Sequence, residues 1–160
     1  MEELKNLYKQ IDYMNLDNII YIKDNQHMDG RAIIYIVLSK EVCISKKENA
    51  LVVAFIIKTI NKALELSKKI SAIEEFAIIV ELKNYKKSKF GVYLPVALAK
   101  TLKVLFPNRL YRCYLRNSPM IFRYMFRLIY PLLDKDTKQK IFFIKGDKKI
   151  PCTEYSLDNM

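Results

Sequence analysis

A chain of 160 residues, 51% hydrophobic and 28% charged, has the length of one domain and enough apolar side chains for a core, which excludes a disordered polymer. Three glycines and five prolines are too few for a turn-rich all-β fold and favour long regular elements. The net charge of +11 lies wholly in the second half: residues 1–80 hold 11 Lys/Arg and 11 Asp/Glu, residues 81–160 hold 17 and 6, so either an anionic partner or a plainly solvated basic face is expected there.

In chain order, residues 2–13 suit a short helix, and Asn25–Gly30 reads as a turn ending in Asp29-Gly30. Arg31–Leu38 then runs Ala-Ile-Ile-Tyr-Ile-Val-Leu, a β-branched stretch that suits a strand covered on both faces. Ser45-Lys46-Lys47-Glu48 has the form of a capping box, which predicts a helix from Lys46 to about Lys69. Phe76–Leu82 is a second buried strand, and Asn84–Lys89 a basic loop. Tyr93–Phe106 reads as a helix stopped by Pro107. Leu110–Arg116 alternates, with Tyr111, Cys113 and Leu115 on one face and Arg112, Tyr114 and Arg116 on the other, the pattern of a half-exposed strand or of one bordering a polar cavity. Ser118-Pro119 supplies an N-cap and a first-turn proline for a helix to Leu133, and Lys140–Ile144 is a last short strand. The order β-α-β-α-β-α-β implies an α/β fold with a mostly parallel sheet and crossover helices.

Cys43, Cys113 and Cys152 have neither metal spacing nor a pairing pattern, so reduced thiols and a cytoplasmic setting are expected. Met1–Lys5 is acidic and lacks an apolar signal core. The apolar run Ala50–Ile57 is far short of the ~20 residues that span a bilayer. Catalytic constellations are missing: His27 is the single histidine, in a loop-like segment, and no phosphate loop, nucleophile elbow or Cys-x-x-Cys is present. Asp134 and Asp136 could face a metal, although Asp134 better suits the turn at a helix end, and Glu81 at a strand end has no evident partner. The chain is therefore read as a non-enzyme without metal or cofactor.

Met120–Leu133 is the unusual segment. Ile121, Met125, Leu128 and Leu132 make one apolar face of a helix, and Phe122, Phe126, Ile129 and Leu133 a second, with Arg123 and Arg127 as a basic stripe between. A helix apolar nearly all round is either deeply buried or meets a second apolar phase. The arginines suit a membrane-contacting interfacial helix, guanidinium groups meeting phosphates, but an ordinary core helix with two exposed arginines fits equally. Pro131 should bend its last turn.

Phe106-Pro107-Asn108-Arg109, followed by Leu110–Arg116 and Asn117-Ser118-Pro119, resembles the CRAL-TRIO signature: an aromatic-Pro-acidic-Arg turn, a strand, then Asn-small-Pro. Ile121–Leu133, Asp134 and Lys140-Ile141 resemble the family's gating helix and the strand after it, and Asp29-Gly30-Arg31 its Asp-x-Gly-Arg lead-in. The resemblance spans about residues 27–146. It implies a parallel-sheet floor under a hydrophobic lipid cavity closed by a mobile amphipathic helix, with Phe122, Met125, Phe126 and Ile129 in the gate. It also implies headgroup binding by Asn108, Arg109 and Lys140, the last matching the lysine of phosphatidylinositol-transfer members. Asn108 stands where those members carry an acidic residue, and the second strand ends Glu81-Leu82-Lys83-Asn84 in place of Asp-x-x-Gly. Few residues precede the lead-in, so the expected division is a short helical extension over 1–28, a lipid-binding domain over 29–146 and a tail over 147–160.

The expected ligand is thus one phospholipid, transferred or presented at an anionic membrane surface by a cytoplasmic protein that visits membranes transiently and carries out no catalytic step. The competing readings are a protein-interaction module with the cavity lost and, ranked last, a nucleic-acid binder using the tyrosines and arginines of 111–124. Apolar surface left bare by absent helices would suit a homodimer.

Overall fold

The computed structural model describes residues 16–38, 49–83, 85, 93–146, 148–150 and 153–154, together with Glu2 and Asn6. After a 3-10 turn at Leu16–Asn18, the elements in chain order are β1 (Ile20–Met28), β2 (Arg31–Val37), α1 (Asn49–Ser71), β3 (Phe76–Glu81), α2 (Tyr93–Leu105), β4 (Leu110–Arg116), α3 (Met120–Ile129), a 3-10 turn (Tyr130–Leu132), α4 (Lys135–Gln139), β5 (Ile141–Ile144) and β6 (Thr153–Glu154). The strands form one sheet in the order β5-β4-β3-β2-β1-β6. β2 to β5 run parallel, and β1 lies antiparallel to both β2 and β6. This is the expected α/β architecture with a mostly parallel sheet.

The continuous apolar runs of β2 and β3 follow from burial on both faces. Ile34, Ile36, Ile78, Val80, Cys113 and Leu115 face one core with α1, α2 and α3. Met28, Ile33, Ala77, Ile79 and Tyr114 form a second core on the other face. Each fully buried aliphatic or aromatic side chain contributes about 1.5–3 kcal/mol.

Four sequence expectations are corrected. β1 was read partly as a helical extension and partly as a turn, but only Asp29-Gly30 turns. Its polar centre, Lys23-Asp24-Asn25-Gln26, hides the strand pattern, and its pairing with β2 is irregular between Ile22 and His27. His27 is therefore a strand residue, its Nδ1 accepting the Gly30 N–H at 3.0 Å. The sheet thus runs past 29–146 at both ends, through β1 and β6. β4 is not half-exposed: Phe76 pairs with Leu110 and Ala77 with Arg112, so Tyr111 is an inserted residue and the alternation slips. Tyr111 and Tyr114 consequently join the second core. Ser118 is not the N-cap; Pro119 occupies that position without a side-chain cap bond, and the Ser118 hydroxyl accepts from Arg123 Nε at 3.3 Å. The helix expected to reach Leu133 gives way at Tyr130 to a 3-10 turn containing Pro131.

Of the helix expected over 2–13, only Glu2 and Asn6 are described, both helical. The capping box at 45–48 and, apart from Tyr85, the basic loop lie outside the described residues. Gly30 is required locally: its φ is +81°, and a Cβ there would stand 2.6 Å from Ser71 Cβ. Ser71 Oγ donates to the Gly30 carbonyl at 2.8 Å, tying the end of α1 to the β1–β2 turn.

Candidate functional site

Between the sheet and the layer of α1, α2 and α3 lies a cavity of about 140 Å3. Its floor is Ile36, Ile78, Val80, Cys113 and Leu115, its walls are Val52, Ile56, Leu98 and Leu102, and its roof is Phe122, Phe126 and Ile129 of α3. Among the described residues, Thr137 and the Cys113 thiol are the only lining side chains that are not hydrocarbon. Burial pushes the Cys113 thiol up to about 12, so it stays protonated there.

α3 resolves the ambiguity left by its sequence. Phe122, Met125 and Ile129 are buried, with Phe126 partly so, which places all four gate candidates on the inward side. The remaining apolar residues face outward: Met120 is 67% exposed, Tyr124 59% and Leu128 63%, with Ile121 also exposed. A ten-residue helix that buries one apolar face and bares another is not an ordinary core helix. Arg123 and Arg127 both lie off the cavity side. The Arg123 guanidinium sits 5.1 Å from the Phe143 ring centre and that of Arg127 5.4 Å from Tyr124.

A more polar cleft of about 420 Å3 adjoins the cavity between the end of α2, the Pro107 turn and α4. Leu102, Leu110 and Thr137 line both spaces, so the polar cleft and the apolar cavity meet at these three residues. The cleft brings together two of the three headgroup candidates, Asn108 and Lys140, with Lys103, Lys135, Asp134 and Asp136. Asn108 holds φ +58°, which presents its side chain on a tight turn. Lys140 Nζ pairs with Asp136 at 2.7 Å. Asp134 caps α4, accepting the Thr137 N–H at 2.8 Å and its hydroxyl at 2.9 Å; these bonds hold its carboxyl below the usual range, so the carboxylate is engaged in structure. Arg109, the third candidate, is not part of the cleft: it donates to the Glu74 carboxylate at 2.9 Å and carbonyl at 3.1 Å, joining the start of β4 to the lead-in of β3.

Tyr85 and Thr137 gave no sequence signal for the site, and Asn117 entered only as the first residue of the Asn-small-Pro motif. Tyr85 is buried beneath α3, its ring edge-on to Phe122 at 5.3 Å. Thr137 joins cavity to cleft. Asn117, with φ +55°, donates to Glu81 Oε1 at 3.1 Å and accepts the Gly146 N–H at 2.8 Å, binding the ends of β3, β4 and β5. The Asn-small-Pro motif thus has a structural use. Among the described residues no cluster of three His, Cys, Asp or Glu could hold a metal, and no helix is long and apolar enough to cross a membrane.

Comparison with known proteins agrees with this geometry. The family model described as CRAL/TRIO domain matches residues 16–155. The crystal structure of Sfh5 is similar to this chain with a TM-score of 0.62 at 18% identity, over 80% of this chain and 49% of that one. The likeness is one of fold, and this chain spans about half the length of Sfh5. No curated protein matches the sequence. With the described sheet and the cavity lining inside the matched stretch, the chain belongs to the CRAL/TRIO domain family of lipid-binding and lipid-transfer domains.

Proposed function

We propose that this protein is a non-catalytic carrier that holds one phospholipid in the cavity beneath α3 and transfers or presents it at anionic membranes, acting in the cytoplasm and visiting membranes transiently. The observation that carries the reading is the apolar cavity roofed by a helix that is apolar on both of its faces. The inner face of α3 completes the lining; the outer face suits the acyl region of a bilayer. Ligand sites commonly enclose ~300–1,000 Å3, and about 140 Å3 is room for part of one acyl chain. Admission of a phospholipid therefore requires α3, with Phe122, Met125, Phe126 and Ile129, to swing away from the sheet. The headgroup would then lie in the adjoining cleft, with its phosphate near Lys140 and its hydroxyls near Asn108. An amide binds hydroxyls more weakly than a carboxylate, so selectivity for inositol should be modest. Arg109, already paired with Glu74, serves the turn instead of the headgroup.

Native mass spectrometry of the purified protein, followed by extraction and lipid identification, tests this. A stoichiometric phospholipid supports the carrier. A clean lipid-free mass, with no uptake from mixed liposomes, sinks it in favour of a protein-interaction module built on the same fold.

A further inference from the structure

We propose that the edge of the sheet at β5, with Phe142, Phe143 and the lysines that follow the strand, is a fixed docking surface for an anionic bilayer that does not depend on the moving helix α3. The inference rests on the carrier reading only for its purpose, which is to keep the protein attached while α3 opens.

Among the described strands β5 is terminal, paired with β4 on one side only. Its central residues, Phe142 and Phe143, are 41% and 38% exposed although both are large and apolar. They flank the edge on its two faces: Phe142 stacks on Tyr114 at 5.4 Å, and Phe143 meets Phe126 edge-on at 5.3 Å. The aromatic surface continues from Phe126 to the half-exposed Tyr130 at 6.1 Å. Cations border it. Arg123 lies over Phe143, Lys138 Nζ is 4.8 Å from the Tyr130 ring centre, and the exposed Lys145, Lys148 and Lys149 follow β5 directly. None of these five has an ion pair among the described residues.

Aromatic rings ringed by unpaired lysine and arginine suit the boundary between headgroups and acyl chains, where rings enter the apolar layer and cations meet phosphates. Charge selects the occupant. A second copy would set this basic surface against another, in a chain of net charge +11, whereas an anionic bilayer complements it. The surface also divides by rigidity. β5 is hydrogen-bonded into the sheet through four register pairs with β4, from Cys113–Ile141 to Arg116–Ile144, whereas α3 is held by side-chain packing. Docking through Phe142, Phe143 and the lysines after β5 therefore survives the departure of α3.

The test is co-sedimentation with vesicles of phosphatidylcholine alone and of phosphatidylcholine mixed with phosphatidylserine, using the full chain. Wild type should bind the anionic vesicles in a salt-sensitive manner. Lys145→Gln, at an exposed position that leaves folding intact, should weaken that binding about fivefold, and Phe142→Ser about tenfold. Uptake of a short-chain lipid supplied as monomers needs no docking, and both variants should retain it at the wild-type level. Failure of wild type to take up that lipid would refute the carrier reading and leave the vesicle result standing. Equal vesicle binding by wild type and both variants would overturn the docking surface. So would wild-type binding to a single-stranded oligonucleotide in place of vesicles.

Discussion

Tyr85 donates its hydroxyl hydrogen to the Met125 thioether at 3.4 Å, linking the chain just after β3 to the buried face of α3. The same ring packs edge-on to Phe122, so one side chain touches a residue of the cavity roof and the buried Met125 beside it. Burial raises the Tyr85 phenol above its ordinary value of 10.0, which keeps it a donor.

Tyr85 should act as a latch. An edge-to-face aromatic pair contributes ~0.5–1.5 kcal/mol, and a bond to sulfur is weaker. Tyr85→Phe should quicken lipid exchange slightly, and Tyr85→Leu, which removes the ring, about tenfold. Stopped-flow transfer of a fluorescent phospholipid measures this. An unchanged rate in Tyr85→Leu would show that the contact does not hold the roof closed.

Cys113 offers a chemical reading of the same motion. Its thiol faces the cavity and is pushed up to about 12, so at neutral pH almost no thiolate exists and no reagent has access. In a chain with Cys43→Ser and Cys152→Ser, a maleimide should label Cys113 slowly. Labelling should speed up with anionic vesicles present and slow again when lipid fills the cavity. Rapid labelling of the closed, lipid-free protein would contradict the geometry.

The cap of α4 predicts a pH dependence. The Thr137 backbone N–H, first among the causes, holds the Asp134 carboxyl below its ordinary value of 3.8. A lowered carboxyl adds stability that is present in full above the ordinary value and is lost as pH falls through the lowered one. Asp134→Ala should thus cost about 1 kcal/mol at neutral pH, as for a lost cap. Its deficit against wild type should shrink below pH 3.8, as urea titrations at descending pH would record.

Lys140 is held by Asp136, so a headgroup phosphate must compete with a carboxylate already in place. Asp136→Asn should free the ammonium and raise retention of anionic phospholipid severalfold, while Lys140→Ala should lower it. Phosphatidylcholine retention should respond less in both. Binding of the two lipids to each variant, measured from extracted lipid, decides the matter; identical profiles across the variants would remove Lys140 from the headgroup site.

Much of the fold was legible in the residues themselves. β2, β3 and β5 are short apolar runs rich in branched or aromatic side chains, and α2 ends where Pro107 requires it. These are local signals, set by backbone sterics and hydrophobic period. β1 was illegible because its polar middle breaks the period, and only pairing with β2 and β6 makes it a strand. The slip in β4 was equally hidden, since an inserted residue is defined by the partner strand and not by its own sequence.

The same division holds at the site. The sequence by itself determined that a helix apolar on nearly every side, with two arginines, would start at Met120, and that Asn108 and Lys140 belonged to a recognisable pattern. Only the tertiary structure decided which apolar face turned inward, that Asn108 and Lys140 share a cleft while Arg109 turns to Glu74, and that Tyr85 and Thr137 belong to the site at all. Helical period orders side chains around an axis, but which side loses its water depends on the sheet and helices that arrive from elsewhere in the chain.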